Sequence, residues 1–134
     1  MKYDVENLPF HIESKLSHAV AIGKSIESTA IANVLEYIDN NYSNKIKVKE
    51  LASLTHYGTG HLRRVFYQIL KLSAREYLSL LRINKACKLL VNSDCKVLDV
   101  ALQLGYFDQS HFHHAFKKHI GITPREYRIH ERFN

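Results

Sequence analysis

The 134-residue sequence predicts an all-α chain of two similar halves joined by a long helix, and three observations carry that prediction. Apolar residues recur at helical spacing along most of the chain, with only five glycines and two prolines to interrupt them. The chain also repeats itself. A shift of fifty residues sets His61 on His111, Phe66 on Phe116, Ser73 on Thr123 and Arg75-Glu76-Tyr77 on Arg125-Glu126-Tyr127. Within each copy, a short apolar helix and a tight turn precede a second helix with one apolar and one polar face, the pattern of a helix-turn-helix.

Taken in order, residues 1–13 read as an arm containing Pro9. From Ser14, Leu16, Val20, Ala21 and Ile22 are compatible with a short helix broken near Gly23. With Ser28 or Thr29 as cap, Ile31, Val34, Leu35 and Ile38 predict a first helix over 30–40, ended by the turn-forming run Asn40-Asn41-Tyr42-Ser43-Asn44. Val48, Leu51, Ala52 and Leu54 predict a short second helix. After Thr55-His56-Tyr57-Gly58, Leu62, Val65, Phe66 and Ile69 give the third its buried stripe. Ser73-Ala74-Arg75-Glu76 is a capping box that opens a helix running to Val91, a rod of roughly 27 Å. Val97, Val100, Ala101 and Leu104 form the fifth helix, with Gly105 as a left-handed stop and a turn one residue longer than in the first copy. Asp108 caps the sixth helix, Phe112 and Phe116 line its apolar side and Gly121 ends it. Thr123-Pro124-Arg125-Glu126 then opens the seventh. The chain divides accordingly into a 1–29 arm or short helix, a 30–72 first subdomain, a 73–93 linker helix and a 94–134 second subdomain.

Charge is uneven. Residues 1–29 carry three lysines against four acids, whereas 30–134 carry sixteen Lys or Arg against nine acids, so the basic excess lies in the repeated part, a balance that suits contact with phosphates and equally the solubility of a small domain. Apolar runs are far shorter than the ~20 residues of a membrane span, and no membrane partner is expected. Cys87, inside a helix, and Cys95, just beyond it, are expected to be free thiols in a reducing cytosol. No glycine-rich phosphate loop, paired cysteine motif or nucleophile elbow is present, so no enzyme is expected.

The polar faces carry the chemistry. Thr59, Gly60, Arg63 and Arg64 in the first copy and Gln109, Ser110, His113 and His114 in the second are the candidates for contact with bases; Gln68, Lys117 and Lys118 are candidates for phosphates. A guanidinium offers a planar fork to guanine O6 and N7, a glutamine can read adenine, and an ammonium meets phosphate as a point charge. The plainer roles are phosphate or solvent contact for the arginines and helix capping for Gln109 and Ser110. His111, His113, His114 and His119 crowd one region. Successive helical residues diverge by about 100°, so only His111 and His114 share a face, and no third ligand follows in spacing. Neither metal nor cofactor is expected.

These residues resemble the DNA-binding domain of the AraC/XylS family of bacterial transcription regulators, from about Ile31 to Arg128. The densest match is Ala101-x3-Gly105-Tyr106-x-Asp108-x-Ser110-x-Phe112-x3-Phe116-Lys117-Lys118, followed by Gly121-x-Thr123-Pro124-x2-Tyr127-Arg128. Earlier segments agree: Leu51-Ala52, His61-Leu62-x-Arg64-x-Phe66, Tyr77-Leu78 and Arg82-x3-Ala86-x2-Leu89-Leu90. The resemblance implies two helix-turn-helix subdomains that bind adjacent major-groove segments of double-stranded DNA. It also implies a cytoplasmic, nucleoid-associated regulator, expected to be an activator that contacts RNA polymerase. A monomer suffices for two successive grooves, which lie about 34 Å apart.

The departures from the family pattern are Gly58 in place of a serine cap, Gly60 in place of a larger contacting side chain, Lys71 and Ala74 in place of Gly and Pro, and His114 in place of Arg. The first turn, one residue short in sequence, and Gly60 motivate the alternative of a helical protein-interaction module that docks on polymerase or a partner regulator without reading sequence. Residues 1–29 are too few for the effector or dimerisation domain many members carry, which leaves a short stand-alone member or the C-terminal part of a longer protein.

Overall fold

The computed structural model describes residues 26–133, and these form seven helices and no strand: α1 (Ile26–Asn41), α2 (Val48–Ser53), α3 (Thr59–Leu70), α4 (Ala74–Asn92), α5 (Val97–Gln103), α6 (Gln109–Ile120) and α7 (Pro124–Phe133). The arm over 1–13 and the short helix expected from Ser14 lie outside the described residues. Two expectations are corrected. The first helix is already formed at Ile26, the first described residue, so neither Ser28 nor Thr29 is its cap. Capping needs an extended residue outside the helix, whereas Ser28 is buried within it. The turns, expected to differ, each span five residues, 54–58 and 104–108. The extra residue of the second copy lengthens α5 to seven residues, against six in α2.

The repeat in sequence is a repeat in packing. α4 contacts α3 on one side and α5, α6 and α7 on the other, so it closes the first unit and opens the second. Phe66 meets Tyr77 edge-on at 6.3 Å, and fifty residues later Phe116 meets Tyr127 at 5.6 Å. Arg82 Nε donates to the Tyr42 carbonyl at 2.8 Å and its Nη2 to that of Asn44 at 3.0 Å, satisfying acceptors just past the end of α1. Arg132, its equivalent, donates to the Val91 and Ser93 carbonyls at the end of α4 and pairs with Asp94 at 2.8 Å. The core is one continuous cluster through both units, with Phe66, Phe112 and Phe116 at most 1% exposed. Fully burying such a ring contributes about 1.5–3 kcal/mol.

The caps set where the helices begin. Ser73 Oγ accepts from the Glu76 amide at 3.1 Å. Thr123 and Glu126 complete a reciprocal box, with Glu126 N to Thr123 Oγ1 at 3.0 Å and Thr123 N to Glu126 Oε1 at 3.1 Å. Asp108 Oδ1 accepts from the His111 amide at 2.7 Å, whereas Gly58 gives α3 no side-chain cap. α6 ends at Gly121 with φ 100°, while α3 ends at Lys71, a side chain held at φ 61°. None of the described helices is long and apolar enough to cross a membrane.

Candidate nucleic-acid interface

α3 and α6 are the second helices of the two helix-turn-helix units, and each is amphipathic for the same reason: every third or fourth residue is large and apolar. α3 buries Leu62, Val65, Phe66 and Leu70; α6 buries Phe112, Phe116 and Ile120. The residues between them are turned outward. Gly60, Arg63, Arg64 and Gln68 are exposed on α3, with Thr59 half-buried at its first turn. Gln109, Ser110, His113, His114, Lys117 and Lys118 are all exposed on α6. A Cβ at Gly60 would lie 3.9 Å from Arg64 Nη1, an ordinary contact, so the Arg64 guanidinium lies back along α3 beside this position.

The histidines part into two roles. His111 stands edge-on to Tyr106 with centroids 5.5 Å apart, as His61 lies against Tyr57 at 4.4 Å, so both brace a turn against the helix that follows it. His119 Nε2 lies 2.9 Å from Ser79 Oγ and ties α6 to α4. His113 and His114 face solvent and, with Ser110, Lys117 and Lys118, line a shallow depression of about 460 Å³. Among the described residues no three His, Cys, Asp or Glu side chains gather as a metal site.

A second groove, of about 740 Å³, runs from Gln109 and His113 between the start of α5 and α7. Lys96 and Arg125 line it, two exposed cations that the sequence reading passed over, although Arg125 repeats Arg75 at the fifty-residue shift. Arg128 also lines it, but its Nε donates to the Leu90 carbonyl at 2.8 Å and its Nη2 to that of Ser93 at 3.3 Å, which commits it to the end of α4. Glu126 is the acid beside this surface. The Thr123 hydrogen bonds hold its carboxyl below the usual range, with Lys117 and His113 adding smaller pulls in the same direction. Cys87 is buried, and burial pushes its thiol up to about 12; Cys95 is half-buried ahead of α5, and both are free. Burial thus disfavours the thiolate of Cys87, the nucleophilic form of a cysteine.

A family profile described as a helix-turn-helix domain matches residues 51–130. The chain is similar to the HTH-type transcriptional activator AarP of Providencia stuartii, 33% identical over 103 residues that cover 77% of this chain and 76% of that protein. It is also similar to the lactose operon transcription activator of Staphylococcus xylosus, 29% identical over 127 residues, or 95% of this chain and 46% of that protein. The solved C-terminal domain of AraT, a response regulator from Geobacillus stearothermophilus, matches with a TM-score of 0.74 at 26% identity, covering 78% of this chain and 88% of that one. The chain thus spans three quarters of one relative and under half of the other.

Proposed function

The chain belongs to the AraC/XylS-type helix-turn-helix family of DNA-binding transcription regulators, and from that premise we propose that it reads two adjacent major-groove segments of one duplex with α3 and α6. The observation that carries this is the duplicated exposure pattern: each helix buries its apolar stripe in the shared core and leaves to solvent a polar face with two Lys or Arg and no carboxylate. Arg63 and Arg64 read guanines through their forks, while Thr59 and the gap at Gly60 let α3 approach the bases. Gln109, Ser110, His113 and His114 face bases from α6. Gln68, Lys117 and Lys118 take phosphates, joined by Lys96 and Arg125.

In this reading the subdomains 30–72 and 94–134 each supply one reading head and the 73–93 helix joins them, so a monomer covers both grooves. Its place is the bacterial cytoplasm, on the nucleoid. Its role is activation through contact with RNA polymerase, in keeping with the activator names of AarP and the lactose operon protein. A protein-interaction module is the alternative. An irregular first turn and Gly60 motivate it, but that turn spans five residues, as many as the second.

Binding to randomised duplexes of ~20 bp, followed by selection at physiological salt, separates the readings. Enrichment of one motif is the expected result. Salt-labile binding with no enrichment would contradict sequence readout and favour the interaction module.

A further inference from the structure

Arg82 and Arg132 perform the same local task, each donating to carbonyls at the end of a preceding helix, but only Arg82 has another unit packed on it. Its guanidinium carbon lies 5.4 Å from the centroid of the Tyr106 ring, in the second unit's turn. Beside it, Gly105 has φ 90°, and a Cβ there would lie 2.6 Å from the Ser43 carbonyl oxygen and 2.9 Å from Arg82 Nη2. The second turn is therefore pressed on the loop after α1 with no room for a methyl group. Lys85 holds the same loop from another side, 5.2 Å over the Tyr42 ring. Tyr106 in turn packs on Phe112 at 5.2 Å and on His111 at 5.5 Å, both in α6. An unbroken path runs from the carbonyls of Tyr42 and Asn44, through the fork of Arg82, to the ring that supports the second reading helix.

We propose that Arg82 is a positioning residue that fixes the separation and rotation of α6 relative to α3, and thereby sets the spacing of the two half-sites on DNA, a role that rests on the two-groove reading above. A stiff α4 alone fixes only its own length. The docking of α6 about it needs a contact between the units off the helix axis, and the planar fork supplies one, since it holds two carbonyls and a ring at once. Gain from binding with two heads depends on both fitting one duplex without strain, so loosening this contact lowers affinity for the full site while leaving each half-site intact.

The test uses three variants. Arg82→Lys keeps the charge and loses the fork. Tyr106→Leu keeps apolar bulk and loses the ring face. Arg132→Lys makes the same chemical change at the equivalent clamp, where no further unit of the described chain packs. Spin labels at Gln68→Cys and Lys118→Cys in a Cys95→Ser background report the α3 to α6 distance without DNA. A narrow distribution is expected for the parent and Arg132→Lys, and a broadened one for Arg82→Lys and Tyr106→Leu.

On selected DNA, Arg82→Lys should bind the full site about tenfold more weakly, change less than about twofold on either half-site alone, and lose most of the penalty for moving the half-sites apart by one base pair. Should Arg82→Lys fail to fold, Tyr106→Leu decides by the same readouts. An unchanged distance distribution in folded variants, or equal losses on full and half sites, would overturn the role. A parent that selects no motif while the variants still broaden would remove the two-groove reading and leave the coupling in place.

Discussion

At the level of single residues, the two arginines of α3 and the two lysines of α6 make opposite predictions. Arg63→Ala should erase preference at one or two base pairs, a loss of about 1–3 kcal/mol of discrimination, whereas Lys118→Ala should weaken binding to all sequences alike and reduce the salt slope by about one. Titration against the selected duplex and single-base variants over a salt series checks both. Lys71 is a different case. Its left-handed φ of 61° is strained for a side chain, so Lys71→Gly should raise unfolding stability by up to ~1 kcal/mol in a urea melt, a change that is unexpected for an exposed lysine on charge grounds. The sequence made Lys71 visible because its counterpart is Gly121. It left Arg82 as a family residue without a job, because its partners are backbone carbonyls, and carbonyls have no sequence signature. Pairing Arg82 with Arg132 at the same fifty-residue shift would have exposed the clamp.

At the level of the helices, caps and stops were legible where a side chain states its role locally. Ser73, Thr123 and Asp108 each sit three residues before the amide they accept from, and all three cap as expected. Ser28 misled because a serine before an apolar run fits equally well inside a helix, and here it is buried within one. The Thr123–Glu126 box carries a pH signature. The Glu126 carboxyl is lowered in the folded chain, so its contribution is present above the unfolded pKa and is lost as pH falls through the folded one. Melting temperature should therefore drop on the acid side, and Glu126→Gln should flatten that limb without moving the neutral plateau's shape. A variant that keeps the full acid slope would show that other carboxylates govern it.

For the whole molecule, the duplication was readable because burial repeats: Phe66 with Phe116 and Tyr77 with Tyr127 recur wherever the core recurs. How the two units meet was not readable, since Gly105 signals a turn in sequence but touches Ser43, sixty-two positions earlier, only in three dimensions. Gly105→Ala should cost roughly 2–4 kcal/mol, combining a left-handed backbone with a methyl forced against a carbonyl, and a denaturant melt reads it directly. A loss under about 1 kcal/mol would mean that the junction gives way easily. The central claim is that one chain places α3 and α6 in successive major grooves. Hydroxyl-radical footprinting and guanine methylation interference on the selected duplex test it most directly: two protected patches on one face, centred about 10 bp apart and occupied at monomer stoichiometry, are predicted, whereas a single patch, or two that appear only when a second chain binds, would contradict it.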